Sequence, residues 1–439
     1  MPKKKTALTI EERLQQALVP AEEQPYEVPE NWVWVRLIGN VNSCLDGYRK
    51  PINSSERAKR VGKVPYYGAT GQVGWIDDYL TNEHLVLLGE DGAPFLDLLK
   101  DKAYIIFGEA WVNNHAHILK SYFEEIGNVF LMHYLNMVDY KDYVKGTTRL
   151  KLTQGSMQLM PFPLPPLSEQ QRIVERIEEL FAKLDEAKER LQEVADSFAV
   201  RKAAILHKAF TGELIGKQVT ELVPLENLVD LIKIGPFGSS LHESDYIENG
   251  IPLVNPKHIV QQRIVPQSKI SISDEKAEEL SSYKLKENDI VLGRRGEMGR
   301  CAPISNREEN WICGTGSMII RLKKEYDAKL YSLILGSQAT VTYLENSAVG
   351  STLKNLNEKI VRKIPVPQFS SEEQHEIVRL IDDLLAHERK AQQAAEQALA
   401  SIDLMKKSIL ARAFRGELGT NKASEASALE LLRQVLAEN

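Results

Sequence analysis

Cysteine is almost missing from this sequence. The three in 439 residues, Cys44, Cys301 and Cys313, are an odd number without paired spacing, which excludes a disulfide-stapled secreted fold and fits reduced thiols in the cytoplasm. Long apolar runs are missing too: none reaches eighteen residues, so no membrane span is expected. Behind Met1-Pro-Lys-Lys-Lys5 lies no apolar stretch of the kind a secretory signal needs, and the lysines read as a solvated end. Positive charge is not in excess. With 55 Lys and Arg against 61 Asp and Glu the net charge is -6, which argues against a general basic coat for nucleic acid but leaves room for local basic clefts.

Catalytic signatures are also lacking. There is no P-loop, and neither Gly314-Thr-Gly316 nor Gly68-x-x-Gly71-x-x-Gly74 has the strand and helix context of a nucleotide site. Pro165-Pro166 lacks the flanking Asn or Asp and aromatic of an amino-methyltransferase loop. Glu186-Ala-Lys188 has nuclease-like spacing but falls on the exposed face of a helix. His115 and His117 form a possible metal pair on one face of a strand, with no third ligand nearby in the chain. No metal, no cofactor and no complete active site is expected in this chain.

What is present is a repeat. Lys202-Ala-Ala-Ile-Leu-His-Lys-Ala-Phe-Thr-Gly-Glu-Leu214 and Lys406-Lys-Ser-Ile-Leu-Ala-Arg-Ala-Phe-Arg-Gly-Glu-Leu418 agree at eight of thirteen positions, at an offset of 204 residues. The same offset pairs Gly146 with Gly350, Leu152 with Leu356, Pro161 with Pro365, Pro163 with Pro367, Gln170 with Gln374 and Ile177 with Ile381. One supersecondary unit is used twice. In the first copy Ile173, Ile177, Leu180, Leu184, Ala187, Leu191, Val194 and Phe198 alternate steps of four and three, the seam of a coiled coil. Ser168 with Gln171, and Ser371 with Gln374, read as capping boxes at the two helix starts. Gly212 and Gly416 read as stops. The second seam runs Ile377, Ile381, Leu384, Glu388, Ala391, Ala395, Ala398, Ile402. Its alanines let a bulkier helix approach, so the two rods, of roughly 60 Å for ~42 residues, are expected to pack on each other. Glu388 and the three alanines Ala391, Ala395 and Ala398 are expected to loosen the pairing locally.

Between the rods lie two mixed domains with short β-rich pieces and Gly, Asn and Asp turns. The segments read as 1–30 (amino-terminal helix and linker), 31–160 (first domain), 161–215 (first long helix), 216–364 (second domain), 365–418 (second long helix) and 419–439 (a helical tail packing beside the amino-terminal helix). Leu85-Val-Leu-Leu-Gly-Glu-Asp-Gly92 corresponds to Ile290-Val-Leu-Gly-Arg-Arg-Gly296, and Trp111-Val112 to Trp311-Ile312. The fold class is α+β with an internal repeat. Two copies share a support, and each carries its own reader.

Side-chain chemistry points to DNA. Arg294, Arg295 and Arg300 sit on a Gly-spaced loop around Gly296 after an apolar strand, and arginine pairs bidentately with guanine O6 and N7. Asn113 and Asn114, beside His115, suit adenine N6 and N7 in the same way. Gly235-Pro-Phe237-Gly238-Ser239-Ser240 is a tight turn able to grip phosphate. Tyr48, Arg49 and Lys50 form a polar-aromatic cluster, Lys257 and His258 another, and Tyr67, Gly68, Thr70 and Gly71 a glycine-rich loop.

The chain resembles the specificity subunit of type I restriction-modification systems. The likeness rests on Pro163-Leu-Pro-Pro-Leu-Ser-Glu-Gln-Gln-Arg-Ile-Val174, on the helix end Leu206-x-x-Ala-Phe-Thr-Gly-Glu-Leu214 and its copy at Leu410 to Leu418, on Trp111-Val-Asn-Asn-His-Ala-His117, on Gly235-Pro-Phe-Gly-Ser239 and on Gly250-Ile-Pro-Leu-Val254. The resemblance implies two target recognition domains, each reading half of a bipartite site on double-stranded DNA. It implies antiparallel long helices that set the spacer and a pseudo-twofold repeat. Its implied partners are two methyltransferase subunits, bringing S-adenosylmethionine and adenine N6 chemistry, and restriction subunits that join with ATP and Mg2+. The chain itself would be non-catalytic and act in the prokaryotic cytoplasm in defence against phage. The alternative from another class is an adaptor whose coil joins protein partners instead of DNA; steep salt dependence separates the two.

Overall fold

The computed structural model describes residues 9–237, 240–348 and 355–438. The chain divides into two compact units, and the division falls inside both long helices. The first unit holds residues up to Gln192 and again from Glu396; the second holds Glu193–Ala395. Since the helices run Leu167–Phe210 and Ser371–Ala413, each is shared between the units instead of standing as a segment of its own.

In the first unit an antiparallel four-stranded sheet has the order Asn42–Cys44, Ala116–Ser121, Leu85–Gly89, Ala103–Ile106. All five residues of Leu85–Gly89 are buried, as a central strand covered on both faces requires. The helix Glu124–Met137 packs on this sheet. A second sheet joins Val64–Gly68 to Gly71–Ile76 in an antiparallel hairpin and to Glu109–Val112 in parallel. Val33–Arg36 pairs with Pro161–Leu164, bringing both ends of the domain to the root of the long helix.

The second unit repeats this plan. Its four-stranded sheet runs Val229–Ile234, Ser317–Leu322, Asp289–Gly293, Cys301–Pro303. Ile251–Val254 and Ile312–Cys313 form its parallel pair, and Val223–Pro224 meets Pro365–Val366. Register refines one expected match. Gly89 faces Ala116 as Gly293 faces Ser317, and Val112 faces Tyr67 as Cys313 faces Val254. Trp111 is therefore the counterpart of Ile312, one place from the expected Trp311.

The helix starts differ from expectation. Gln170 and Gln374 are buried, and their amides donate back to Pro165 O (3.1 Å) and Phe369 O (3.0 Å). The capping box of the second helix is Ser370 with Glu373, one residue earlier than Ser371 with Gln374. At the first helix Gln171 bonds along the helix to Glu175, not back to Ser168. Both glycine stops are left-handed, Gly212 at φ 81 and Gly416 at φ 73, where a Cβ would be strained.

Within the first unit the helix halves run antiparallel: Asp185 pairs with Lys406 (2.6 Å) and Lys188 with Asp403 (3.2 Å). Within the second, Arg201 reaches Glu388 (2.9 Å). So Glu388 is not a loose point. Its carboxylate accepts from a guanidinium that also lies 4.3 Å over the Phe198 ring. The seam is buried mainly where a globular core covers it: Ile173 and Ile177 in the first unit, Ile377 and Ile381 in the second. Phe198, Ala395 and Ile402 are buried as well, while Leu180, Leu184, Ala187, Leu191 and Ala398 are half-buried. Val194, Leu384 and Ala391 are exposed, against the expectation of a continuous seam. A helix touching one other helix keeps most of its circumference in water, and outlying seam positions pay for that.

Each helix start is also locked by the residues that follow the other helix. In the first unit the buried Glu169 carboxylate accepts from Trp32 Nε1 (2.8 Å) and Asn421 Nδ2 (2.8 Å). In the second, Glu373 meets Lys217 (2.6 Å). Glu169 and Glu373, and Lys217 and Asn421, are both related by the repeat offset of 204. The tail Ala428–Glu438 packs beside Ile10–Ala17 as expected, with Arg13 donating to Leu436 O (2.6 Å).

Candidate nucleic-acid interface

In the second unit the buried strand Asp289–Gly293 delivers the chain into a turn, Arg294-Arg295-Gly296, with Gly296 at φ 82. Neighbouring backbones press on this end. A Cβ on Gly235 would stand 2.1 Å from Gly314 O, and one on Gly316 3.0 Å from Pro256. The structure thus brings Gly235, Lys257, Arg294, Arg295, Gly296 and Arg300 to one end of the sheet. Arg295 is exposed and makes no ion pair among the described residues. Arg294 is half-buried, its Nε donating to Leu356 O (3.2 Å); burial, then the Arg295 charge, lowers its pKa. Arg300 donates to Pro256 O (3.3 Å) and pairs with Glu297. Lys257, Phe237 and Ser240 are exposed, Phe237 at 66%. Gly238 and Ser239 lie outside the described residues. His258 turns inward, with Nδ1 on Leu253 O (2.8 Å), and burial lowers its pKa.

In the first unit the turn after Leu85–Gly89 is Glu90-Asp91-Gly92, the 204-residue counterpart of Arg294-Arg295-Gly296. The backbone is the same in both. Glu90 O accepts from Leu152 N (2.8 Å) as Arg294 O does from Leu356 N (3.0 Å), and Asp91 bridges to Lys151 as Arg295 does to Asn355. The charge is reversed, and three basic side chains and a histidine have gathered on it. Glu90 holds Lys151 (2.8 Å) and Arg49; Asp91 holds Arg149 (2.8 Å) and His115 (2.7 Å). Arg49 is thereby drawn inward, also pairing with Asp46 (2.9 Å). Burial alone would raise the carboxyls of Asp46 and Glu90. Burial is the largest single influence on each, but for Asp46 the His117 bond and charge, the Ile118 N–H and Arg49 together outweigh it, and for Glu90 the bonds from Lys151 and Arg49 with the nearby positive charge do, so both lie below the usual range.

Of the remaining expected residues, Tyr48, Lys50, Thr70 and Asn114 are exposed. Tyr67 leans on Tyr104, whose hydroxyl donates to Gly68 O (2.6 Å), and Gly71 sits at φ 138 in the hairpin turn. Asn113 is only 7% exposed, its Oδ1 accepting from His115 N (2.8 Å), which shapes a turn and turns the amide away from solvent. His115 and His117 do not share a ligand position: the first meets Asp91, while the second meets Asp46 (2.6 Å) and Leu152 O (2.9 Å). Cys44, Asp46 and His117 present ligand atoms within 4.8 Å of one another. They suit a metal poorly. Both His117 nitrogens already face oxygens, Arg49 occupies Asp46, and burial, with Asp46, pushes the Cys44 thiol up to about 12. Sequence reasoning missed Asp46, Glu90, Asp91, Arg149 and Lys151. Continuing the 204 offset from Arg294 and Arg295 would have found the acidic pair.

One α+β domain plan, built twice, with loops of different chemistry at the same sheet end, defines a duplicated recognition scaffold. Residues 29–196 and 226–397 match the family described as the type I restriction modification DNA specificity domain, and the chain belongs to that family. It is 29% identical over 316 residues to the type I restriction enzyme EcoBI specificity subunit of Escherichia coli, covering 65% of this chain and 66% of that one, just under two thirds. With the EcoKI specificity subunit of Escherichia coli strain K12 it shares 25% identity over 335 residues, 70% of this chain and 71% of that one. The crystal structure of the HsdS subunit from Thermoanaerobacter tengcongensis has the same fold, with a TM-score of 0.58 at 18% identity over 90% of this chain and 100% of that one. The matches do not favour the adaptor reading. Among the described residues no helix is long and apolar enough to cross a membrane.

Proposed function

We propose that this chain is the DNA sequence-recognition subunit of a type I restriction-modification complex and carries no catalytic residue of its own. Each unit reads one half of a bipartite target on double-stranded DNA. The observation that carries this is the same loop-bearing sheet end present in both units with different side chains, Arg294-Arg295 in one and Glu90-Asp91 in the other. One backbone with two chemistries suits two unlike half-sites. Candidate contacts are Tyr48, Lys50, Thr70 and Asn114 in the first unit and Phe237, Ser240, Lys257 and Arg295 in the second, all exposed. The two continuous helices set the spacer and dock two methyltransferase subunits, which supply S-adenosylmethionine and the adenine N6 chemistry. Restriction subunits join through them with ATP and Mg2+.

The test is to assemble the chain with its cognate methyltransferase subunits, modify random-sequence DNA and map the methylated adenines. Two short asymmetric half-sites separated by an unspecified gap of fixed length are expected. A contiguous motif, or methylation without sequence preference, would contradict the proposal.

A further inference from the structure

The second unit offers an exposed arginine at its reading turn, Arg295. The first has aspartate at the same place, Asp91. An acidic side chain pointed at DNA repels phosphate unless it meets a cytosine N4 amine or is neutralised by a cation. Asp91 holds a cation. Asp91 Oδ1 accepts from Arg149 Nη2 at 2.8 Å and faces His115 Nδ1 at 2.7 Å. The carboxylate is 18% exposed, His115 39% and Arg149 59%. The guanidinium lies above Gly92, where a Cβ would come within 3.5 Å of its Nε and Nη2, and Gly92 at φ 72 leaves that space open. Arg149 comes from the strand-return segment after Gly146 and not from the turn itself, so position in the chain did not announce it.

We infer that Arg149, positioned by Asp91 and His115, is the first unit's counterpart of Arg295 and reads a guanine edge in that unit's half-site. An isolated surface arginine samples many rotamers and contacts phosphates and bases alike. One tied at a single Nη to a half-buried carboxylate keeps its other donors free in a fixed plane, the condition for bidentate recognition of O6 and N7. Freezing the side chain before binding also removes ordering cost from the bound state. The inference rests on the DNA-recognition reading above. It adds that the two units reach a similar base contact from opposite turn chemistry, one directly and one through a carboxylate.

The experiment uses the full chain assembled with its methyltransferase subunits and measures adenine methylation across a DNA library. Arg149→Ala is expected to lower discrimination at one guanine position of one half-site by about 5- to 150-fold, leaving the other half-site unchanged. Asp91→Asn, which keeps the shape and removes the charge, should relax the same position to a smaller extent. Arg149→Lys should not restore it, since an ammonium lacks the planar fork. Equal loss on every sequence would make Arg149 a phosphate contact, and unchanged preference would remove it from the interface; either overturns the inference while the bipartite target stands. If the unsubstituted complex shows no bipartite preference, the DNA-recognition reading itself fails.

Discussion

Arg294 and Arg295 are neighbours in the chain but differ in surroundings. Arg295 is exposed, whereas Arg294 is half-buried with its Nε on Leu356 O. Arg295→Ala is therefore expected to cost ~1–3 kcal/mol of binding and to relax preference in one half-site. Arg294→Ala should instead lower the unfolding free energy of the chain, read by denaturant titration. In the first unit the carboxyls of Asp46 and Glu90 are held below their ordinary range. A carboxyl depressed on folding adds stability that is fully present above its unfolded value of about 4 and is lost as pH falls through the lower folded value. Resistance to thermal unfolding should thus fall as pH drops below about 4. Asp46→Asn should give a lower but flatter profile in that range. A slope unchanged by the substitution would remove Asp46 from the account. The repeat offset leads to Asp91 but not to its cation. Asp91 and Arg149 are 58 positions apart, and no local pattern links them.

The long helices were legible as elements. Their glycine stops follow from backbone rules, and their starts at Leu167 and Ser371 lie close to the proline and serine signals, although neither expected capping box formed. Which seam residues carry energy was not legible, because heptad spacing says which face is apolar, not how much of it is covered. Ile177 is fully buried in the first unit's core, and Val194, at the same kind of position, is 44% exposed. Ile177→Ala should cost ~2–5 kcal/mol and Val194→Ala under ~1 kcal/mol, both measured by urea unfolding. Similar losses would indicate a continuous coil after all. Capping was misplaced by one residue at the second helix because Ser370 and Ser371 are adjacent, and only side-chain geometry separates them. At the helix roots, Glu169→Ala leaves the buried Trp32 Nε1 without its acceptor, while Asn421 Nδ2 keeps Asn31 Oδ1 (2.8 Å). A loss of ~1–3 kcal/mol is expected.

At the scale of the molecule, the division of both helices between the units leaves the first unit made of two separate stretches of chain and the second, Glu193–Ala395, of one that carries a piece of each helix. Exchanging residues 31–160 for those of a relative should change one half-site alone, as mapped by methylation. Lengthening both helices by seven residues at the unit boundary adds about 10 Å, equivalent to about three base pairs. The spacer should lengthen while both half-site sequences persist. A changed half-site would mean that the helices shape the readers as well as separate them.

The amino-acid order alone determined the duplication, the two rods, the α+β class and the sheet ends where glycines and charges gather, because periodicity, caps and repeats are local or regularly spaced signals. Only the tertiary structure decided that each rod is shared between two units, that Glu388 is met by Arg201, that Asn113 and His258 turn inward, and that Arg149 stands over Asp91. Those outcomes depend on which surfaces close over a residue from distant parts of the chain, and a side chain's burial and charge partner exist only once that packing is made.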